Sequence, residues 1–238
     1  PHFTGFLGQT YDVTGEPGQC YSIISDSELA INAKFEQAYT DRYGGSIDQI
    51  TGEKLNYQAR GTWMTWLSLL VPNPNGHVNH VVVNVEDSPA GLACTENCLL
   101  AGTIILDGKE ISTKGSYSSG LLDLQVTNSK SFTRNVIRSP HCEVSFDVVL
   151  PPTSWNIEKD AQSKFSHLNM KFYKIDLTED AHGLMGLTSR MKTNAYGEPI
   201  TKAYDKNGSG ILDGTYKDYE TADILSTDFT YSRFMTSS

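Results

Sequence analysis

The feature that most constrains the fold is a strict alternation of apolar and polar residues near the start of the chain. Apolar side chains occupy every second position: Leu29, Ile31, Ala33 and Phe35. The positions between them hold Ala30, Asn32 and Lys34. Because successive side chains of a strand point to opposite faces, this pattern predicts a half-buried β-strand.

Further strand and turn signals follow along the chain. Asp107-Gly108 sits between the apolar flanks of 103–111, which is the sequence preference of a type I′ hairpin. The segment 142–150 predicts a strand with one buried face: Cys142, Val144, Phe146, Val148 and Leu150. A later strand is predicted at 165–177 with Leu168, Met170 and Phe172 inward.

About ten short strands separated by turns predict an all-β chain, an antiparallel β-sandwich or curled sheet with long surface loops. Helix is expected in at most one or two short segments, and the best candidate is 157–164. We expect a single domain over 1–238, with 191–218 as a polar surface excursion.

Composition excludes several classes of function. The net charge of −9 argues against nucleic-acid binding, because contacts with phosphates need a basic surface. No apolar run approaches the roughly 20 residues of a membrane-spanning helix. The hydrophobic fraction of 38% is typical of a globular chain with a core.

Four cysteines suit an oxidising compartment. Cys94 and Cys98 are close enough for a local disulfide, which we favour over zinc because no second ligand pair follows. Cys142 is either a core thiol or bridged to another strand, and we predict Cys20 as its partner.

The most distinct local motif is a loop rich in oxygen-bearing side chains at 205–216. Calcium ligands are predicted at Asp205, Asn207, Ser209, Ile211 (through its carbonyl) and Asp213. Tyr216 stands where such a loop needs a bidentate glutamate, so a plain turn is the favoured interpretation and calcium is the alternative.

The same loop contains the acceptor sequence Asn207-Gly208-Ser209, which predicts N-glycosylation of Asn207 in a secreted protein. A glycan there would compete with the use of that side chain as a metal ligand.

Both ends of the chain resemble a known family. PHFTGF at the start resembles the opening of von Willebrand factor type D modules, and the whole pattern is more similar to the plant root-cap family, a diverged type D-like module. The segments that carry this likeness are 1–6, 22–26, 31–35, 165–172, 176–188 and 219–234. The resemblance implies an extracellular β-rich module and brings no established catalytic chemistry.

Two details qualify the resemblance. In AHGLMGLT, 181–188, Met185 replaces the cysteine of type D modules and the usual calcium ligands are missing, which leaves a tight turn at Gly183 and Gly186. The chain begins Pro1-His2-Phe3, and in several type D proteins a Gly-Asp-Pro-His sequence breaks at its Asp-Pro bond. Pro1 is therefore expected to arise by such cleavage or by trimming.

These observations predict a non-enzymatic extracellular or cell-surface module, a subunit of a coat, matrix or filament. Its expected partners are itself, other extracellular structural proteins or glycans, with no required cofactor and calcium as the one expected ion. No catalytic residue is predicted, because no nucleophile elbow, zinc motif or phosphate loop is present. A carbohydrate-binding module is the alternative, with Trp63, Trp66 and Trp155 as candidates, and a hydrolase is the third reading.

Overall fold

The computed structural model describes residues 1–37, 61–85, 102–128, 132–149 and 166–235. Fourteen strands lie in these ranges: β1 His2–Thr4, β2 Thr10–Asp12, β3 Cys20–Ser25, β4 Ala30–Gln37, β5 Thr62–Pro72, β6 Val78–Asn84, β7 Thr103–Leu106, β8 Lys109–Glu110, β9 Gly115–Ser119, β10 Leu122–Asn128, β11 Phe132–Arg138, β12 Cys142–Val149, β13 His167–Ile175 and β14 Glu220–Thr221. Two short 3₁₀ turns, Gly186–Ser189 and Tyr216–Tyr219, are the helical elements of the described residues.

The strands form three antiparallel sheets. One has seven strands in the order β14-β3-β4-β5-β6-β7-β8, one has five in the order β13-β12-β11-β10-β9, and β1 pairs with β2. A single cluster of buried side chains joins the two large sheets, with Ile31 and Leu67 from the first and Leu124 and Phe146 from the second. The predicted all-β sandwich is confirmed. None of the described helices is long and apolar enough to cross a membrane.

The predicted hairpin at Asp107-Gly108 is confirmed. Both residues have positive φ, 46° and 77°, and they connect β7 to β8. Asp107 adds contacts of its own, because its carboxylate accepts the backbone N–H of His80 at 2.6 Å and the side-chain amide of Asn79 at 2.8 Å. The turn is thereby fixed to β6.

Strand β4 has the predicted alternation but is buried on both faces, so the expectation of a half-buried strand is wrong. The reason is the last part of the chain, which crosses the more polar face. Asn32 donates to the carbonyls of Ile224 and Ser226 at 3.1 and 2.8 Å. Ser68 of β5 donates to the Ile224 carbonyl at 2.6 Å. These bonds satisfy polar groups that burial would otherwise leave costly.

The inward faces of β12 and β13 are as predicted. Cys142, Val144, Phe146 and Val148 are buried. Leu168 is buried too, and Met170 and Phe172 pack against the core. Leu150 and the predicted 157–164 helix lie outside the described residues.

The β1–β2 hairpin packs against 181–190. The Tyr11 hydroxyl donates to the Leu184 carbonyl at 2.7 Å, and the Gln9 amide donates to the Thr188 carbonyl at 3.2 Å. The predicted turn at Gly183 lies in this segment with φ of 102°, and a Cβ there would stand 2.5 Å from the Ile23 carbonyl oxygen. Only glycine fits this approach.

Candidate functional site

Strand β13 forms one edge of the five-stranded sheet. It has nine residues, about 30 Å of extended chain, and pairs on one side with β12. Residues 168–175 make no backbone hydrogen bond to any described segment other than β12. Within the described part of the chain, alternate N–H and C=O groups of this strand therefore have no partner strand.

The other edges of the two large sheets are shorter. Strands β8 and β14 have two residues each, and β9 has five, of which one is glycine and three are serine. Short edge strands are a common protection against unwanted pairing. Among the described strands, β13 is thus the long edge.

The exposed side chains of β13 are Asn169, Lys171, Tyr173 and Lys174. The Lys171 ammonium lies 5.1 Å from the centre of the Tyr173 ring. Opposite Tyr173 the register with β12 shifts at a bulge between Glu143 and Val144. Lysines and bulges on an edge strand disfavour pairing with arbitrary strands of other chains. A strand that pairs with β13 must therefore fit these features.

Ion pairs support the sheet behind this edge. Arg134 of β11 makes two parallel hydrogen bonds to Asp147 of β12, with nitrogen–oxygen distances of 2.7 to 3.0 Å. Arg138 and Glu143 form the next cross-strand pair at 2.9 Å. Each such surface pair contributes only about 0.2–1 kcal/mol, but the bidentate geometry holds the register of the strands next to β13.

A second polar cluster surrounds His182, which is 5% exposed. Its Nε2 lies 3.2 Å from Asp213 Oδ2, and Lys192 Nζ lies 2.6 Å from the other oxygen of that carboxylate. The imidazole stacks on the rings of Tyr231 and Tyr219 at centroid distances of 4.8 and 6.2 Å. Its Nδ1 is buried and has no hydrogen-bond partner among the described residues.

Opposing effects set the pKa values of this cluster. Burial lowers the pKa of His182, and Arg233, Arg190 and Lys192 act in the same direction, while Asp213 opposes them. For Asp213, burial favours the neutral acid, but Lys192 and His182 outweigh it and the pKa is lowered. The pair is therefore a neutral imidazole beside a carboxylate that already has a cation. With phenol rings over the imidazole, the arrangement holds two loops together.

Spacing in the sequence could not have revealed this cluster, because His182 and Asp213 are far apart in the chain. A backbone bridge between Ser25 and His182 places the imidazole, and the loop after Ile211 brings in Asp213.

The predicted calcium ligands do not form a ready cation site. The Asp205 carboxylate accepts the N–H groups of Asn207 and Ser209 at 2.8 and 3.1 Å and the Ser209 hydroxyl at 2.6 Å. Asp213 pairs instead with Lys192 and His182. Ile211 is buried in the core. The plain turn accounts for this geometry, and no group of three or more acidic, histidine or cysteine residues suited to a metal occurs in the described ranges.

The predicted Cys20–Cys142 disulfide is wrong. Cys142 is a buried free thiol in β12, 3.4 Å from the Ser139 hydroxyl, and burial raises its pKa. Cys20 begins β3 in the other large sheet. A position on a strand does not bring two cysteines within the roughly 4.4–6.8 Å between Cα atoms that a disulfide needs. Cys94 and Cys98 lie outside the described residues.

The tryptophans of β5 do not provide a flat exposed platform. Trp63 is half-buried with its ring 4.6 Å from that of His167, and Trp66 is half-buried with the Lys34 ammonium 5.8 Å from its ring centre. Trp155 lies outside the described residues. The most exposed aromatic residues of the described ranges are Tyr196 and Tyr204, 89% and 71% exposed.

No family model matches this chain, and no curated protein is significantly similar to it. The likeness to root-cap and type D modules therefore stays an expectation.

Proposed function

We propose that this chain is a non-enzymatic extracellular assembly module, in which β13 of one copy pairs with β13 of a second copy. The observation that carries the proposal is the long open edge of β13. Main-chain pairing at a sheet edge joins proteins without a dedicated pocket, and the side chains of the added strand provide selectivity.

The sequence of β13 is compatible with pairing to itself. In a two-fold antiparallel arrangement centred on Phe172, Lys171 of one copy lies opposite Tyr173 of the other, and Lys174 lies opposite Met170. No lysine faces a lysine in this register, and two ammonium–ring contacts form across the interface. A two-fold contact of this kind is self-complementary, as closed dimers require.

Longer assemblies need a second contact. The five-stranded sheet ends in β13 on one side and β9 on the other. Pairing through β13 alone stops at a dimer, whereas pairing through both edges continues one sheet from copy to copy. The dimer is thus the proposed building block of a coat or filament.

The extracellular part of the proposal rests on the resemblance at both ends of the chain. It is independent of the geometry of β13.

Proline variants of β13 test the pairing. Neighbouring residues of a strand direct their N–H groups to opposite edges of that strand. Of the two variants Met170→Pro and Lys171→Pro, one therefore removes a hydrogen bond to β12. The other, the outward variant, removes only an N–H that points away from β12. The outward variant should keep the wild-type melting temperature and lose at least tenfold in dimer affinity, measured by sedimentation equilibrium. The inward variant should melt lower.

Alanine at the same two positions is the matched control, because it shortens the side chain but keeps the N–H. The chain with alanine at the position of the outward proline variant should still dimerise. A wild-type chain that stays monomeric at all concentrations would contradict the proposal, and so would a folded outward proline variant that associates normally. In either case, the next hypothesis to test would be glycan binding through the exposed aromatic residues Tyr196 and Tyr204.

A further inference from the structure

The loop 204–210 combines the glycosylation acceptor with an exposed aromatic ring. Tyr204 precedes Asn207 by three residues, and the Tyr204 N–H donates to the Ser209 carbonyl at 2.8 Å, which closes the loop. Asp205 fixes the loop from inside through its bonds to Asn207 and Ser209. Gly208 has φ of 79°, a left-handed conformation that glycine adopts without strain.

The Tyr204 ring lies against the backbone of Gly210. A Cβ at Gly210 would be 2.5 Å from a carbon of that ring, yet Tyr204 as a whole is 71% exposed. The loop backbone therefore supports the ring and leaves much of its surface in solvent. No packing requirement of the core explains a large aromatic side chain at this place.

Asn207 is exposed as well, and its side-chain amide makes no hydrogen bond to the described part of the chain. Its backbone pairs with that of Val13, which fixes where the side chain begins. Three residues span at most about 10 Å, and the closed loop shortens that distance. A sugar on Asn207 is consequently within reach of the Tyr204 ring.

We propose that Asn207 carries an N-linked glycan whose innermost N-acetylhexosamine packs its C–H face on the ring of Tyr204. The face of an aromatic ring carries negative charge density and attracts the polarised C–H groups of a sugar. This inference rests on the proposed extracellular location, because the modification takes place in the secretory pathway.

The transfer needs a lipid-linked oligosaccharide pyrophosphate as donor. The side-chain nitrogen of Asn207 forms a bond to C1 of the first sugar, the bond from C1 to the pyrophosphate oxygen breaks, and the amide loses one proton. The lipid pyrophosphate is the leaving group. Because transfer precedes folding, the bond of the Ser209 hydroxyl to Asp205 in the folded loop does not oppose it.

The modification also bears on the calcium prediction. A glycan on Asn207 competes with the use of that side chain as a metal ligand, so the two interpretations of the loop are partly exclusive.

The test uses the full chain secreted from a eukaryotic cell line. Intact mass before and after enzymatic removal of N-glycans should show a glycan that Asn207→Gln and Ser209→Ala abolish. Melting temperatures then compare the glycosylated chain with Asn207→Gln, with and without Tyr204→Ala. The glycan should raise the melting temperature by about 2–4 °C when Tyr204 is present and by less than half of that when it is absent.

Tyr196→Ala is the matched control, since Tyr196 is 89% exposed on a turn of its own and its removal should leave the effect of the glycan unchanged. Absence of a glycan at Asn207 would overturn the inference. If the glycan raises the melting temperature equally in the Tyr204→Ala variant, the proposed packing of the sugar on the Tyr204 ring is wrong. Neither result touches the pairing of β13, which the association of Asn207→Gln reports separately.

Discussion

His182 is a buried histidine whose ionisation depends on the fold. Its imidazole is buried between Tyr231 and Tyr219, and its Nδ1 has no acceptor within the described part of the chain. The charged groups that face it are Asp213, Lys192, Arg190 and Arg233. Protonation would put a second N–H on the ring where nothing accepts it.

The folded state should therefore lose stability at mildly acidic pH. Burial lowers the pKa of His182 below the value of about 6.5 expected in the unfolded chain, so the unfolded chain binds the proton more readily. The free energy of unfolding should fall as the pH drops through about 6.5 and level off below the folded-state pKa. Denaturant titrations from pH 8 to pH 5 measure this.

His182→Gln should remove that part of the pH dependence, whereas His77→Gln, at an exposed turn, should leave it. The same slope in the His182→Gln variant would assign the effect to another group. If that variant does not fold, Asp213→Asn gives a second measurement. It removes the charge that opposes the shift, so the loss of stability should begin at the same pH and continue to a lower one.

Residue type alone could not show whether Asp213 is a calcium ligand or the ion-pair partner of Lys192. The sequence shows an acidic side chain in a loop rich in oxygen atoms, which favours calcium. It does not show that Lys192 folds back onto that carboxylate. Cys142 is a similar case, because its burial was predictable from alternation and its lack of a disulfide was not.

Among the elements, those with a local signal were predicted best. Alternation located β4 and β12, and Asp107-Gly108 located the β7–β8 turn. The covering of β4 by the segment around Ile224 was missed. That segment has no period and few strand formers, and hydrogen bonds from Asn32 and Ser68 to its carbonyls help to hold it in place.

Alanine substitutions at two glycines distinguish the stability lost through backbone strain from the stability lost through steric overlap. Gly108 has φ of 77° and open space where a Cβ would be, whereas the Cβ of a residue at 183 would meet the Ile23 carbonyl at 2.5 Å. Gly108→Ala should cost about 1–2 kcal/mol through conformation alone. Gly183→Ala should cost about 2–5 kcal/mol, because overpacking adds to the strain.

Urea unfolding of the two variants checks this order. Equal losses for both would mean that the β3 backbone moves aside at Gly183. A larger loss at Gly108 would contradict the account of the β7–β8 turn.

For the whole molecule, the arrangement of the sheets determines what can associate. Among the described strands, the edges of the two large sheets are β8, β14, β9 and β13, and β13 is the longest of these. The sequence predicted the strand and its inward residues. That it would lie at an edge could not be predicted, because edge position depends on the order of strands that are distant in the chain.

The most direct test of the account is amide hydrogen exchange of the full chain at concentrations below and above its association. We predict that alternate amides within 168–175 exchange fast in the dilute chain and become protected on association, while amides of β8 and β14 do not change. Association that leaves the amides of β13 unchanged, or protects another surface instead, would contradict the central claim.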